Sequence, residues 1–424
     1  MILQCEIGNN LSFNGKQRII AIPSSKAELV DAIITEGEYN ALPVLAFYGK
    51  NASGKTNALK SIKHIFSMVT SSHNFDPVRP IPLYTPFAFT QNKNKETTFE
   101  IVFVIDKIKY VYGFAHNSIE ILEEYLYVYR SSKATKIFDR DVKKEKEYTF
   151  GTNYKDLEEY ISKTHKNKLF LSIVAQWAAD KEEINNIYNF FRNGMKYYQK
   201  DCNTPSIEFD EETTNLLIGN EEARNFINRL IKYLDLEFKE VGAKKNSITL
   251  DVEKLPENFK DILSALGDSV LQTTDIKTMY EVNNCVYELN LNYESNGVKK
   301  IYQFFSLLFY ALNSKQIVVI DEIEMGLHPA LVEKIIQLFQ DRSINKYGSQ
   351  LIFSTQSTTI LKTKLLRRDQ IYLTERNKED FSTEIYPLSE IKGVRTTDNI
   401  ERDYLNGLYV NIPSNRGWLD DLDG

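Results

Sequence analysis

The chain has 424 residues, of which 42% are hydrophobic and 26% charged, and its formal net charge is −6. This composition is typical of a globular protein with a sizeable core in one to three domains, and the negative charge restricts any nucleic-acid contact to local basic patches. The sequence contains no run of eighteen apolar residues and no secretory leader pattern, so we expect neither membrane spanning nor secretion. The three cysteines are too few and too far apart for a disulfide framework or a cysteine metal site, which favours the cytoplasm.

The first lobe, residues 1–150, is predicted to be rich in strands. Residues 1–22 alternate apolar and polar positions, and residues 42–48 have the pattern of a buried strand followed by a helix through about Met68. Residues 98–105 and 109–114 are predicted to form a hairpin around Asp106 and Lys107.

The apolar spacing becomes helical after residue 150. Apolar residues recur every three or four positions from about 153 to 236, which predicts an inserted helical lobe over residues 151–235. No heptad pattern persists long enough to predict a coiled-coil arm. Strands return at residues 236–241, 247–252 and 287–293, within a predicted C-terminal lobe over 236–424. Strands and helices alternate at both ends of the chain, so we predict an α/β fold with mixed sheets and a mainly parallel core.

A phosphate-binding loop is predicted between the strand at 42–48 and the helix after it. The segment GKNASGKT matches the pattern G-x-x-x-x-G-K-[ST]. The glycines allow the backbone to curl until its N–H groups and the helix amino terminus face an anion. The residues predicted to bind ATP are Gly49, Lys50, Asn51, Ala52, Ser53, Gly54, Lys55, Thr56 and Asn57.

An acidic pair follows the predicted strand at 317–320. Asp321 is predicted to share Mg²⁺ with the hydroxyl of Thr56, and Glu322 to polarise the attacking water as a catalytic residue. Neighbouring side chains on a strand face opposite sides, so the pair can fill both roles only if the strand ends there. Asp321 lies 266 residues beyond Lys55, which requires a sizeable insertion between the two motifs.

A serine-led helix start is predicted at ESNGVKK, residues 294–300. An ordinary N-capped helix would explain it. In an ABC-type arrangement the same helix start is a second anion site, which contacts the γ-phosphate held by another subunit. This interpretation predicts a head-to-tail homodimer or higher oligomer with ATP between subunits. Its signature-like residues are Ser295, Asn296, Gly297 and Lys299.

Taken together, these motifs resemble the ABC-type ATPases of phage-defence systems, the RloA and AbiL group, with PARIS and OLD-type ATPases as relatives. The matching stretches are GKNASGKTNALKSI, ESNGVKK, VVIDEIEMGLHP, FSTQSTTIL and LLRRDQIYLTE. The resemblance implies an ABC/SMC-like head that hydrolyses ATP with Mg²⁺. It also implies a molecular switch that dimerises around ATP, responds to a phage protein trigger and controls an effector in trans, a nuclease or a toxin.

Two further site positions come from the resemblance. Gln356 is predicted to be catalytic, at a position where such families usually have a histidine that helps to orient water. An amide can donate a hydrogen bond but carries no proton, so we expect slow turnover. Gln176 is the best match to the glutamine that completes the metal shell in such heads. Gln91 competes for that role, and a purely structural glutamine is an alternative at Gln176.

Other functions stay open on the sequence alone. A DNA-maintenance ATPase of the SMC or RecF-like class shares the site chemistry, and it would need Lys143, Lys244 and Arg367 gathered into one groove. An ATP-binding assembly scaffold with little turnover is a second alternative.

A nuclease within the same chain is disfavoured. OLD-type relatives carry an acidic metal site after the ATPase, but here the later aspartates that would have to join Glu375 lie in a polar tail with no strand around them, where two metals could not easily be held. These tail residues are Asp420, Asp421 and Asp423.

Overall fold

The computed structural model describes residues 1–24, 28–90, 95–199, 211–249, 270–395 and 397–409. They fall within two compact units, which are described separately below. The first lies within residues 1–200, 311–325 and 332–424, and the second within residues 201–310 and 326–331. Across the described ranges, no helix has the length and apolarity that crossing a bilayer would require.

The strands of the described residues are distributed along the whole chain. In chain order they are β1 (Ile2–Gly8), β2 (Gln17–Ile20), β3 (Ile34–Glu36), β4 (Tyr39–Ala41), β5 (Val44–Tyr48), β6 (Thr97–Ile105), β7 (Ile108–His116), β8 (Ile121–Tyr129), β9 (Thr135–Asp141), β10 (Tyr148–Phe150), β11 (Met195–Tyr198), β12 (Glu240–Thr249), β13 (Val270–Val282), β14 (Cys285–Asn290), β15 (Ile317–Ile320), β16 (Gln350–Ser354), β17 (Ile371–Arg376) and β18 (Thr383–Pro387).

All of the described helices except the first follow β10 in the chain. In chain order they are α1 (Lys55–Ser71), α2 (Phe170–Trp177), α3 (Glu182–Asn193), α4 (Glu211–Gly219), α5 (Glu221–Leu234), α6 (Asn296–Asn313), α7 (Pro329–Gln340), α8 (Thr359–Lys362) and α9 (Ile400–Leu405). Short 3₁₀ segments occupy Val30–Ala32, Ser72–Asn74, Leu291–Tyr293 and Leu388–Glu390. A longer one, Thr152–Lys163, is interrupted by non-helical backbone at Tyr154.

An antiparallel sheet forms one layer of the first unit, in the order β10-β9-β8-β7-β6-β1-β2. The hairpin predicted around Asp106 and Lys107 is confirmed, because these two residues join β6 to β7. Their φ angles are 48° and 68°. Two consecutive positive values are what a two-residue hairpin turn requires if its twist is to match that of the strands.

A second sheet of the first unit has the order β11-β15-β16-β5-β17-β18, and it is parallel apart from β18. All five residues of β5 are buried, as expected for a strand covered on both faces. Strand β16 lies between β5 and β15, and β17 lies on the other side of β5. The carboxyl ends of these four parallel strands therefore meet at one edge.

One hydrophobic core joins the antiparallel sheet to α1, α2 and α3. The ring of Phe190 on α3 stacks on Phe103 of β6, with the centroids 4.5 Å apart and the planes 8° from parallel. Because α3 buries its apolar face in this core, α2 and α3 belong to the first unit. The lobe predicted over 151–235 is therefore divided between the two units.

The second unit combines helices with a three-stranded antiparallel sheet of order β12-β13-β14. Leu216 of α4, Ala223 of α5 and Phe309 of α6 form a small hydrophobic cluster. The hydroxyl of Thr213 donates to the carbonyl of Tyr302 at 3.1 Å, which ties α4 to α6. This unit is therefore mixed α/β, whereas the sequence predicted that the insertion would be helical and that the strands from residue 236 would belong to the C-terminal lobe.

Candidate nucleotide-binding site

The loop between β5 and α1 needs both of its motif glycines. Gly54 has a φ of +110°, and a β-carbon there would lie 2.3 Å from Oγ1 of Thr383 on β18. A β-carbon on Gly49 would lie 2.5 Å from the carbonyl oxygen of Thr374 on β17, a backbone atom that cannot rotate away. The loop can pass this close to β17 and β18 only without side chains at these positions.

Lys55 is the first residue of α1, and its ammonium lies inside the curl of the loop. Its Nζ donates to the carbonyl oxygens of Gly49 at 2.8 Å and of Lys50 at 2.9 Å. Burial lowers the pKa of Lys55, and three nearby carboxylates oppose that shift. These carboxylates are Glu322, Glu324 and Asp321. The loop thus encloses a cation at the position where phosphate oxygens would bind.

Three oxygen-bearing side chains meet at the ends of β15 and β16 and at the start of α1. The Thr56 hydroxyl donates to Oδ1 of Asp321 at 3.1 Å. The Ser354 hydroxyl donates to the same Oδ1 at 2.5 Å. A hydroxyl and a carboxylate are hard oxygen ligands, which Mg²⁺ prefers. Thr56 and Asp321 therefore fit the predicted metal role.

The predicted end of the strand at the acidic pair is confirmed. Strand β15 ends at Ile320, and Glu322 has a φ of +52°. A left-handed backbone at a non-glycine residue costs on the order of 1–2 kcal/mol, so surrounding contacts must hold it. The N–H of Glu322 donates to the hydroxyl of Ser354 at 2.8 Å. Because the strand ends here, the side chains of Asp321 and Glu322 need not point to opposite faces of the sheet, as they would within a strand.

Gln356 contacts the acidic segment at two points. Its side-chain Nε2 donates to Oε1 of Glu322 at 3.1 Å. Its backbone N–H donates to Oε1 of Glu324 at 2.6 Å. The amide predicted to replace a histidine therefore lies against the carboxylate predicted to polarise water.

An open cavity of about 430 Å³ lies over the loop, and both predicted catalytic residues line it. The lining residues are Ser12, Asn51, Ala52, Ser53, Gly54, Lys55, Thr56, Asn57, Glu322, Gln356 and Arg376. Gly49 and Lys50 contribute the carbonyl groups that bind Lys55.

Sequence reasoning did not find Ser12, Ser354 or Arg376. Ser12 is brought to the cavity because the N–H of Thr383 on β18 donates to its carbonyl at 2.7 Å. Ser354 lies two residues before Gln356, at the last position of β16. Its closeness to Gln356 in the sequence could have marked Ser354 as a site residue. That inference, however, also requires knowing that β16 lies beside β15.

The predicted metal ligand Gln176 does not join this site. It is exposed near the carboxyl end of α2, and among the described residues it forms no hydrogen bond with Thr56 or Asp321. The competing Gln91 lies outside the described residues. Gln176 was chosen because it follows an apolar run at the entry to the predicted helices, but it lies near the end of α2 where the side chain is exposed to solvent.

The signature-like residues lie in the second unit, at the start of α6. The Ser295 hydroxyl accepts from the N–H of Val298 at 3.3 Å, which is an N-cap contact. Ser295 and Asn296 are exposed, and a β-carbon on Gly297 would lie 3.0 Å from the carbonyl oxygen of Gly326. The Lys299 ammonium donates to a carbonyl in the preceding turn. Both sequence interpretations are compatible with this geometry.

The basic residues considered for DNA contact are largely paired. Arg367 is 1% exposed, and its guanidinium donates to both carboxylate oxygens of Asp369, at 2.8 and 2.7 Å. Lys143 lies near Glu96 and Glu123. Since Arg367 is buried, it cannot contribute to a DNA groove. The described part of the chain also contains no group of three metal-ligating His, Cys, Asp or Glu side chains.

Comparison with known proteins agrees with the geometry of the loop and the acidic pair. Residues 44–362 match a family whose description reads AAA domain and names an AbiEii toxin and a Type IV TA system. The matched range covers most of the chain and includes the loop, the acidic pair and Gln356. No curated protein matches the chain. The chain therefore belongs to this AAA-domain family, and its P-loop and mixed α/β sheets are consistent with an AAA-type P-loop ATPase domain.

Proposed function

We propose that the protein is a slowly hydrolysing ATP switch of a phage-defence system. In this proposal an ABC/SMC-like head binds ATP with Mg²⁺, pairs head-to-tail with a second copy and controls an effector in trans. The observation that carries the proposal is the contact between Glu322 and Gln356 at the edge of the loop cavity. This contact supports the proposal because it puts a carboxylate that could polarise water, and an amide that could orient it, beside the phosphate loop.

The side chains have separate tasks in this mechanism. The loop amides and Lys55 bind the phosphates, while Thr56 and Asp321 would hold Mg²⁺. When bound, the ion neutralises charge on the phosphate oxygens. Glu322 accepts a hydrogen bond from the attacking water and takes its proton. Gln356 fixes the direction of the Glu322 carboxylate.

Slow turnover follows from the chemistry of Gln356. Its amide already donates to one oxygen of Glu322, and it can neither accept a proton nor carry positive charge. It can therefore orient the base, but it can offer the γ-phosphate only a neutral hydrogen-bond donor and no positive charge. The protein would spend most of its cycle in the ATP-bound state, which suits a switch.

The experiment that tests the proposal uses Glu322→Gln. We expect this variant to bind Mg·ATP, to hydrolyse it much more slowly than the wild type in a single turnover, and to double its mass in solution when ATP is added. The matched control Ser295→Arg should bind ATP with wild-type affinity but remain a monomer when ATP is added. The proposal fails if the wild type binds no adenine nucleotide, or if its mass is the same with and without ATP.

The same single-turnover measurement tests the scaffold alternative, in which ATP is bound structurally. That alternative predicts that Glu322→Gln and the wild type retain ATP equally long. The switch predicts a clear difference, because the wild type converts bound ATP to ADP and then resets.

A further inference from the structure

An arginine guanidinium lies over the rings of two phenylalanines at the rim of the loop cavity. The Arg376 guanidinium lies 5.9 Å from the ring centroid of Phe89 and 5.1 Å from that of Phe381. The two rings lie 6.0 Å apart. Arg376 itself lines the cavity, so these three side chains continue the wall that the phosphate loop begins.

The two rings are not core residues. Phe89 is 63% exposed and Phe381 is 50% exposed, although each full ring would stabilise the fold if it were buried. Phe89 is anchored by edge contact with the buried ring of Phe87. The Phe381 carbonyl accepts a hydrogen bond from Nε of Arg376 at 3.2 Å. Fixed, exposed apolar surface beside a cavity is typical of a ligand-binding wall.

Strand order shows which part of a nucleotide would reach this wall. The acidic pair and Gln356 follow β15 and β16, on one side of β5. These residues mark the end of the site where the γ-phosphate would lie. Arg376 ends β17, on the opposite side of β5. With its phosphates in the loop, a bound nucleotide would therefore extend its ribose and base toward Arg376.

We propose that Phe89, Arg376 and Phe381 form the platform on which the base of the bound nucleotide stacks. This inference rests on the proposed binding of ATP and adds the recognition of its base. Aromatic rings and guanidinium planes bind the π-face that every base presents. The platform would thus add affinity for adenine and guanine nucleotides alike, while the loop supplies the phosphate contacts.

The test separates base binding from phosphate binding. Calorimetry on the full chain would measure the dissociation constants of Mg·ATP and of inorganic tripolyphosphate, which lacks a base. We expect Phe381→Ala and Phe89→Ala each to weaken Mg·ATP binding about tenfold, the lower part of the range for a stacked base. Binding of tripolyphosphate should stay at the wild-type value. Phe381→Trp, which keeps an aromatic ring at this position, should bind Mg·ATP with the affinity of the wild type.

Tyr347→Ala is the matched control, because Tyr347 is 56% exposed in the same unit and does not line this cavity. It should leave both dissociation constants unchanged. Two results would overturn the inference: Phe→Ala variants that bind Mg·ATP as tightly as the wild type, or an equal loss for Mg·ATP and tripolyphosphate. A wild type that binds neither ligand would instead refute the proposed function itself.

Discussion

The side-chain amide of Gln356 donates a hydrogen bond of 3.1 Å to the carboxylate of Glu322. The backbone of Gln356 is held in turn by Glu324 at 2.6 Å. The segment after β16 is therefore tied to the segment after β15 through both side chain and backbone. A displacement of Glu322 or Glu324 would therefore also displace Gln356, and a displacement of Gln356 would reorient the Glu322 carboxylate.

We expect Gln356→Ala to lower kcat for ATP hydrolysis about tenfold, with less than a twofold change in the dissociation constant for Mg·ATP. A hydrogen bond to a charged group contributes about 1.5–3 kcal/mol, and tenfold in rate corresponds to about 1.4 kcal/mol. Binding is spared because the contacts of Gln356 are with Glu322 and Glu324, not with the loop. The comparison needs steady-state ATPase assays alongside calorimetry. A brisk ATPase that this substitution leaves unchanged would contradict the proposed role.

Ser354→Ala should destabilise the fold and weaken the binding of Mg·ATP. The buried Ser354 hydroxyl donates to Asp321 at 2.5 Å and accepts from the N–H of Glu322 at 2.8 Å. Its removal deletes both of these hydrogen bonds, at a cost of about 1–3 kcal/mol in the free energy of unfolding. Urea denaturation measures the loss. Ser357→Ala, at a half-buried position of the same segment whose hydroxyl shares a solvent-exposed hydrogen bond with that of Thr359, should change stability by less than about 0.5 kcal/mol.

The local part of the site could be predicted from the sequence. The loop, Lys55 and the acidic pair lie in contiguous motifs whose strand and helix contexts are visible in the residues on either side. The end of β15 at Ile320 is equally local. In each case the residues that decide the geometry lie within a few positions of each other.

The non-local part could not be predicted. Arg376 and Ser354 reach the site only because β17 and β16 flank β5, and nothing in either strand specifies its neighbour. The helical spacing of residues 184–191 showed which face of α3 is apolar but not that Phe190 would stack on Phe103. Periodicity thus placed α3 in a separate lobe, although its packing partner is the first sheet.

Arg367→Ala should act on stability and not on DNA binding. The guanidinium is 1% exposed and pairs in a bidentate manner with Asp369. Removing one partner of a buried pair leaves an uncompensated charge and costs about 3–5 kcal/mol. Chemical denaturation would show this loss, whereas Lys362→Ala at an exposed position should have little effect. A stably folded Arg367→Ala variant that selectively lost salt-sensitive DNA binding would revive the DNA-maintenance alternative.

We expect the protein to lose stability in mild acid because two of its histidines, His64 and His116, are buried. His64 of α1 stacks on Phe99 at 4.7 Å, and its ring centroid lies 5.9 Å from that of His116. Burial, aided by repulsion from His116, lowers the pKa of His64 to about 3. Burial lowers the pKa of His116 to about 4. The Nε2 atoms of both rings are buried without a hydrogen-bond partner among the described residues.

The direction in which stability changes with pH follows from the unfolded chain, where a histidine has a pKa of about 6.5. Because both folded pKa values are lower, the unfolded state binds protons more readily. The stabilisation is complete above about pH 6.5 and is lost as the pH falls toward 4 and 3, by up to about 1.4 kcal/mol per pH unit for each ring. Urea denaturation at pH 7.5 and pH 5.0 should therefore show a loss of about 2–4 kcal/mol in the free energy of unfolding.

His116→Phe tests this assignment, because the new ring would lie against Phe99 and Phe114, on which His116 already stacks. With one titrating group removed, we expect the slope of stability against pH to fall by about half. His165→Phe, at an exposed position, should keep the wild-type slope. Parallel pH profiles for the wild type and His116→Phe would show that the acid sensitivity arises elsewhere.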